Sequence, residues 1–261
     1  MNETIRYLPK DKTIEEYLSL IHIPKKVIND LINNNLITQI DNKLIFDLSE
    51  YDKNDIIPYD YKLDIVYEDD DILVIKKERG ILIHSDGDNY KTLLNAVCSY
   101  VNLPYKTRVV HRLDLETIGL VVFCKNLISY YYLNYQMENG LIKKKYYAIC
   151  DGLVKSGKLV TYIARDRHNS KKYRVSKSGK LSETIYNLIS YKNGKSLVDI
   201  EIKTGRTHQI RVHMAYLGHS IIGDELYGEG NKLMLQNYLF GYFDPVTNDY
   251  KEIEIKNELE F

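Results

Sequence analysis

The sequence predicts an α+β protein with one large body and a small N-terminal module. Helical and strand-like segments follow one another without the regular alternation that a doubly wound parallel sheet requires. The turn dipeptide Asn193-Gly194 joins two long strand-like segments, as in an antiparallel hairpin. The 261 residues, of which 44% are hydrophobic and 28% charged, are enough to bury a full core.

The first 60 residues predict a compact α-α-β module. Apolar residues recur at helical spacing in residues 12–23, and Pro24 precedes a second helical segment, residues 25–36. This arrangement resembles, in degenerate form, the RNA-binding module first seen in a ribosomal small-subunit protein, since its second helix offers two lysines where arginines are usual. The remaining parts of the predicted module are strands at residues 37–40 and 43–46, a turn at Asp41-Asn42 and a closing segment at residues 52–58.

The remaining residues, 61–261, predict one α+β body. Short apolar runs indicate its strands, and apolar residues at helical spacing with end signals such as Asn139-Gly140 indicate its helices. Strands are predicted at residues 72–76, 80–84, 119–124, 144–150, 173–176, 183–191 and 196–203, and helices at residues 91–101, 126–138 and directly after Thr207.

Charge is distributed unevenly, although the chain has no net charge. Residues 143–211 contain seventeen Lys/Arg and five Asp/Glu, whereas residues 1–75 contain eight and sixteen. This asymmetry favours a basic face directed at phosphates, and a solvated lysine-rich face is the alternative. Aromatic residues among cations suit unstacked RNA bases, and the 24 tyrosines are a weak indication in the same direction.

Signals for secretion, membrane insertion and disulfide formation are absent from the sequence. The N-terminus has no apolar targeting segment, and no apolar run approaches the length of a membrane span. The cysteines Cys98, Cys124 and Cys150 form no C-x-x-C pair. We therefore expect reduced thiols, a cytoplasmic location and no membrane partner.

One carboxylate, Asp114, has an unusual setting in the stretch HRLDLETIGL, residues 111–120. It lies between a cation, Arg112, and the apolar run of residues 119–124, which predicts a buried strand. A carboxylate at such a junction is either tied up in a structural ion pair or held ready for covalent chemistry. The local pattern alone favours the structural interpretation.

A second polar cluster lies in residues 203–228, where a predicted strand end passes into a helix. Arg206, His208, Arg211 and His213 cannot all be core residues unless they are paired, because unpaired buried charge is costly. The cluster is either a satisfied network of ion pairs and hydrogen bonds or a site that grips an anion and holds one carboxylate ionised.

Three segments together resemble the motifs of the RluA family of pseudouridine synthases: HRLDLETIGL, KKKYYAI at residues 143–149, and TGRTHQIRVHMAYLGHSIIGDELYG at residues 204–228. The chain departs from the family at Ile118, where serine is usual. The resemblance implies the pseudouridine synthase fold, with a mixed, mainly antiparallel sheet flanked by helices and loops. It also implies isomerisation of specific uridines in structured RNA, either ribosomal or transfer RNA. The N-terminal module favours 23S ribosomal RNA as the substrate over transfer RNA, and a monomer is the default expectation.

The resemblance further implies roles for individual residues. Asp114 would be the nucleophile, Tyr146 would lie against the target uracil, and Arg211 would pair with Asp114 and orient it. Arg112 would fill the place that the flipped uridine leaves in the RNA. The other substrate contacts that it implies are His111, Arg206, His208, Gln209, Ile221 and Ile222, with one of the two isoleucines forming an apolar wall of the uracil pocket.

The reaction itself explains the residue types. It breaks the bond between ribose and N1 of uracil, rotates the base and rejoins it through carbon 5, so we expect no cofactor and no metal. A carboxylate can add to the base, trap the ribose carbon or take a ribose proton, and the sequence leaves these routes open. Flipping the base costs a few kcal/mol, and stacking on Tyr146 would return about 1–3 kcal/mol.

Three other functions are alternatives to RNA isomerisation. A metalloenzyme using His208, His213 and His219 lacks the helical spacing of a zinc pair. A hydrolase built on Asp114, His111 and a serine lacks the G-x-S-x-G elbow. The serious rival is an RNA-binding protein that keeps this scaffold and has lost the activity.

Overall fold

The computed structural model describes residues 4–47, 56–85, 87, 89–101 and 107–261. The helices are α1 (Ile14–Leu20), α2 (Lys25–Asn33), α3 (Leu93–Val101), α4 (Leu127–Glu138) and α5 (Gln209–Tyr216). The strands are β1 (Thr4–Tyr7), β2 (Ile37–Ile40), β3 (Lys43–Phe46), β4 (Ile65–Glu68), β5 (Ile72–Lys77), β6 (Arg108–Val109), β7 (Ile118–Cys124), β8 (Lys143–Asp151), β9 (Gly157–Arg165), β10 (Tyr173–Ser176), β11 (Lys180–Lys192), β12 (Lys195–Ile202), β13 (Leu235–Phe243) and β14 (Tyr250–Glu254). Within the described ranges, no helix is long and apolar enough to cross a membrane.

The N-terminal segment forms two helices against a three-stranded antiparallel sheet with the order β1-β3-β2. Thr13 caps α1 in a capping box with Glu16, and Pro24 stands at the N-cap of α2. The predicted helices and the predicted hairpin are therefore confirmed, with β1 as an addition. Residues 52–55 of the predicted closing segment lie outside the described residues.

This N-terminal unit shares a hydrophobic core with the body. Leu18, Leu31 and Phe46 are fully buried in one cluster with Leu127 and Ile128 of α4. At the same junction, the buried guanidinium of Arg6 pairs with Asp71 and donates to the hydroxyl of Ser129 at 3.0 Å.

The body is built on an eleven-stranded sheet with the order β10-β9-β11-β12-β8-β13-β7-β5-β4, to which β14 and β6 add at β13 and β7. Among the described strands, β13 and β7 run parallel to each other and the other pairs are antiparallel. The core covers one face with residues from β5, β7, β8 and β12 and from α3 and α5. The predicted mixed, mainly antiparallel sheet is confirmed.

The parallel contact between β7 and β13 depends on a glycine. Gly119 has φ +111°, and a Cβ there would lie 2.0 Å from the carbonyl oxygen of Asn237. Asn237 in turn pairs with Tyr146 across β13 and β8. The close approach at Gly119 therefore brings the loop before β7, which carries Asp114, to the part of the sheet that carries Tyr146.

The strand predicted at residues 80–84 is wrong, because this segment forms a turn and bends. Ile81 and Ile83 are buried, as the apolar run indicated, but the segment has a different partner. The carbonyls of Leu82 and Ile83 accept hydrogen bonds from the backbone N–H groups of Leu93 and Leu94, at 2.8 and 3.1 Å. Apolar residues here serve a loop that caps the start of α3, instead of a strand in the sheet.

Candidate active site

A cleft of about 780 Å³ opens where the loop before β7, the end of α4, the start of β8 and the loop between β12 and α5 meet. Asp114, Tyr146 and Arg211, the three residues predicted as catalytic, all line this cleft. They come from three segments that are distant in sequence, so the fold has brought together what the motifs indicated separately.

Arg211 is the centre of the site. Its Nη1 donates to Oδ2 of Asp114 at 3.1 Å, and its Nε and Nη2 donate to the two carboxylate oxygens of Asp224 at 2.8 and 2.7 Å. Asp224 is fully buried and also accepts the backbone N–H groups of Leu226 and Tyr227. The bidentate pair fixes the plane of the guanidinium, which leaves Nη1 directed at Asp114.

Gly223 explains how the chain places Asp224 beneath Arg211. Its φ is +78°, and a Cβ would lie 1.9 Å from the carbonyl oxygen of Lys232. Only glycine permits this turn and this close approach. Asp224 was not expected from the sequence, because the rule that a buried arginine needs a carboxylate predicts a partner for Arg211 without choosing between Asp224 and Glu225 in the segment HSIIGDELYG.

Both members of the buried pair are charged near neutral pH. Burial works against the charge of Arg211, but the hydrogen bond with Asp224 and the charge of Asp114 outweigh it and raise the pKa of Arg211. Burial likewise works to raise the pKa of Asp224, yet its hydrogen bond and attraction to Arg211 hold that pKa below the usual value. One guanidinium therefore faces two carboxylates.

His208 lies beside Asp114 as a neutral imidazole. Burial outweighs the attraction of Asp114 and lowers the pKa of His208. Its Nε2 is 3.8 Å from Oδ2 of Asp114, which is too long for a hydrogen bond, and its Nδ1 is 2.9 Å from Oη of Tyr227. That hydroxyl also accepts the backbone N–H of Tyr173 at 2.7 Å, so Tyr227 ties the imidazole of His208 to β10 beside Asp114.

Tyr146 presents its ring to the cleft from β8. Its side chain is buried, and burial raises the pKa of the phenol against the opposing effect of a hydrogen bond with Asn237. The charge of Asp114 also raises this pKa. The phenol therefore stays protonated beside an ionisable carboxylate.

The predicted substrate-binding residues on the polar side of the cleft differ in their exposure and in how many of their polar groups already have partners. Arg112 is exposed at the cleft and forms no ion pair with the residues that the structure describes. Arg206 is exposed as well, and its Nε donates to the carbonyl of Leu181 at 3.0 Å. Gln209 is buried, and its amide oxygen accepts hydrogen bonds from the hydroxyl of Thr204 and the backbone N–H of Arg206. Its amide nitrogen donates to the carbonyl of Glu183 and the hydroxyl of Thr184. Gln209 thus holds the loop between β12 and α5 in place.

Ile221 and Ile222 are not brought to the cleft. Ile221 is buried in the core of the body and forms an isolated β-bridge with Cys150. The described residues that line the cleft include neither isoleucine. The apolar residues that line the cleft include Leu113, Ile202, Ile210 and Leu235. The two isoleucines of the third motif therefore do not form the apolar wall that was predicted for them.

The loop that follows Asp114 is held by a buried lysine, Lys77, which the sequence analysis did not single out. Its side chain is 1% exposed, and Nζ donates to the carbonyls of Glu78, Leu115 and Thr117 at 2.9, 2.8 and 2.9 Å. Burial lowers the pKa of Lys77 to about 8. All three donors of the ammonium are used on backbone, and two of them fix the turn directly after Asp114.

The geometry does not support the metalloenzyme and hydrolase alternatives. His213 is fully buried and contacts the hydroxyls of Thr161 and Thr184 at 3.0 and 2.9 Å, whereas Nδ1 of His219 contacts a backbone carbonyl. Among the described residues, no group of three or more His, Cys, Asp or Glu side chains is arranged to hold a metal ion. His111 stacks on Phe240 and forms no hydrogen bond with Asp114 or with any other described residue.

Comparisons with known proteins point to one family. The family model described as RNA pseudouridylate synthase matches residues 71–216. An uncharacterised RNA pseudouridine synthase of Bacillus subtilis, YhcT, is 38% identical over 229 residues, which cover 85% of this chain and 75% of that protein. The ribosomal large subunit pseudouridine synthase D of Neisseria meningitidis is 39% identical over 66% of this chain and 48% of its own length.

The fold agrees as well. The solved structure of human RNA pseudouridylate synthase domain containing 1 superposes with a TM-score of 0.65 at 23% identity, over 75% of this chain and 83% of that one. The three motifs, the cleft that they build and these matches lead to one conclusion: the chain belongs to the family of RNA pseudouridylate synthases, as the resemblance to the RluA group indicated.

Proposed function

We propose that this pseudouridine synthase isomerises specific uridines in large-subunit ribosomal RNA, with Asp114 as its nucleophile. The observation that carries the proposal is the carboxylate of Asp114, which lines the cleft, is 23% exposed and, among the described residues, is held by one hydrogen bond, from Arg211 at 3.1 Å. Such a group is oriented and still reachable by a flipped base.

Each route open to this carboxylate begins from the same arrangement. A uridine leaves its stack and enters the cleft, where Tyr146 faces the base. Asp114 then adds to the base, traps the ribose carbon or takes a ribose proton. In the net reaction the bond from ribose to N1 breaks, the bond to carbon 5 forms, carbon 5 loses a proton and N1 gains one. Arg211 remains protonated throughout and orients Asp114.

The choice of RNA rests on relatives. The protein from Neisseria meningitidis is named for the ribosomal large subunit, and three further relatives carry the same name. Transfer RNA is the alternative substrate. Arg112 would occupy the gap left by the flipped uridine, and its exposure at the cleft without an ion pair to a described residue supports this role.

We further propose that residues 61–261 form the catalytic domain and residues 1–60 a small, degenerate module of the ribosomal-protein-like RNA-binding type. A protein with this substrate would work in the cytoplasm, and the cleft is complete within one chain, which favours a monomer.

The test compares the wild type with Asp114→Asn on unmodified transcripts of large-subunit ribosomal RNA and of transfer RNA. Tritium release from uracil labelled at carbon 5 reports the reaction, and the pseudouridine positions are mapped in cells with and without the gene. We expect the wild type to modify a defined ribosomal position and Asp114→Asn to modify none. Wild-type protein that binds these RNAs and forms no pseudouridine in any RNA of its host would instead support the inactive RNA-binding protein.

A further inference from the structure

The three consecutive lysines at the start of β8 differ in whether they have an ion-pair partner. Lys143 pairs with Glu252 at 2.9 Å, and Lys145 pairs with Asp199 at 3.1 Å. Lys144 points the other way, lines the cleft and is only 7% exposed. It forms no ion pair with any described residue, and its Nζ donates a weak hydrogen bond to Sδ of Met137 at 3.3 Å.

An ammonium buried without a counterion is costly, so this placement calls for a partner. Burial, and then the charge of Arg206, lower the pKa of Lys144 to about 8, and the charged form still dominates at neutral pH. The carboxylates that line the cleft are Asp114, which Arg211 already holds, and Glu138, which is exposed and forms no ion pair with Lys144. The chain therefore supplies no anion for this cation within its described residues.

Two neighbours shape a pocket around the ammonium. His111 lines the same cleft, is 9% exposed, and has neither ring nitrogen hydrogen-bonded to a described residue. Burial and the charge of Lys144 lower the pKa of His111 to about 3, so it is a neutral imidazole with one N–H to donate. A Cβ at Gly205 would lie 3.3 Å from Nζ of Lys144, and its absence leaves space beside the ammonium.

We propose that Lys144, with His111 beside it and Gly205 as the open side, forms a binding site for a backbone phosphate of the RNA next to the flipped uridine. Lys144 lies two residues from Tyr146 on the same face of β8, about 7 Å along the strand, so the phosphate is within a nucleotide's reach of the base. A phosphate neutralises the ammonium, which an uncharged uracil oxygen does not. This inference rests on the proposed function.

Salt dependence of binding tests the proposal, because each phosphate contact on single-stranded RNA adds about 0.7 to the slope of log affinity against log salt. The probe is the ribosomal RNA transcript that the wild type modifies, bound by proteins carrying Asp114→Asn to prevent turnover. We expect Lys144→Gln to reduce the slope by about 0.7, and the matched control Lys143→Gln, whose lysine is paired on the opposite face, to keep it. In the active background Lys144→Gln should raise KM more than it lowers kcat, and Lys144→Arg should restore the slope.

Gly205→Val provides a second variant that keeps the lysine and fills the open side, and it should reduce the slope in the same way. Equal slopes for Lys144→Gln and Lys143→Gln, or a loss of kcat at unchanged slope, would overturn the phosphate site. Failure of the proposed function shows separately, as absence of pseudouridine formation by the wild type. Replacement of single phosphates by neutral methylphosphonates should identify one position at which the wild type and Lys144→Gln bind equally.

Discussion

Asp224 offers the sharpest test of the site, because it is fully buried and acts through Arg211 without lining the cleft. The change is Asp224→Asn, which keeps the size of the side chain and removes its charge. The matched control is Asp114→Asn, the same change at the other carboxylate of Arg211. The structure predicts opposite patterns for the two variants.

The expected magnitudes follow from burial. Removing one partner of a buried ion pair costs about 3–5 kcal/mol, and because the amide still accepts one hydrogen bond we expect about 3 kcal/mol for Asp224→Asn. In a chain of this size that lowers Tm by about 6–12 °C. Arg211 then loses its fixed plane, and a displacement of about 1 Å from Asp114 reduces the rate roughly 100-fold. Asp114 is 23% exposed and Arg211 keeps Asp224, so Asp114→Asn should cost at most about 1 kcal/mol while abolishing the reaction.

The assay combines thermal unfolding with single-turnover tritium release from labelled ribosomal RNA transcripts. Asp224→Asn should unfold early and react slowly, and Asp114→Asn should unfold near the wild type and not react. If Asp224→Asn kept the Tm and the single-turnover rate of the wild type, the bidentate pair would not be what holds Arg211. Loss of stability with an unchanged rate would show that Arg211 needs no such support to orient Asp114.

Three further predictions concern groups around the site. Gly119→Ala places a Cβ 2.0 Å from the carbonyl oxygen of Asn237 at a strained φ. We therefore expect the free energy of unfolding, measured in urea, to fall by several kcal/mol and the reaction rate to decrease. Unchanged stability and rate would mean that β7 and β13 can move apart without harm. Lys77→Met leaves three buried carbonyls without their donor, and should lower both Tm and kcat, whereas an effect on Tm alone would show that the turn after Asp114 is held by other contacts. Burial lowers the pKa of His213 to about 4 from about 6.5 in the unfolded chain. The unfolded chain therefore takes up a proton first as the pH falls, and stability decreases by about 3 kcal/mol between pH 6.5 and pH 4; His213→Gln should lessen this decrease, and an equal decrease in both proteins would contradict it.

The sequence predicted those elements whose local pattern agrees with their place in the fold. The hairpin of β11 and β12 and the helices α3 and α4 have clear periodicity and turn signals, and the structure has them close to the predicted bounds. Strands β1, β4, β6, β9, β13 and β14 were not indicated. In β13 the polar pair Gln236-Asn237 and Gly241 interrupt the apolar pattern, yet all three are inside the protein. Gln236 is satisfied by the backbone of Lys256 and Glu258, contacts that only the folded chain provides.

The same distinction applies to the site. Asp114, Tyr146 and Arg211 could be named because their motifs carry them, and the structure places all three on one cleft. Asp224 and Lys77 support the site from behind the cleft, and their roles depend on hydrogen bonds with buried groups that are distant in sequence. Local sequence does not show such long-range contacts. The general rule that buried charge is paired was sufficient to expect a partner for Arg211 but not to choose it.

The division of Arg211 between two carboxylates has a chemical consequence for Asp114. Arg211 uses Nε and Nη2 on Asp224 and offers only Nη1 to Asp114. If Asp114 were the bidentate partner, both of its oxygens would be bound and its reactivity reduced. Within the described part of the chain, Oδ2 accepts one hydrogen bond and Oδ1 accepts none. Asp224 thus neutralises and fixes the guanidinium. Asp114 is therefore oriented by a cation while one of its carboxylate oxygens is left free of that cation, as a nucleophile or base requires.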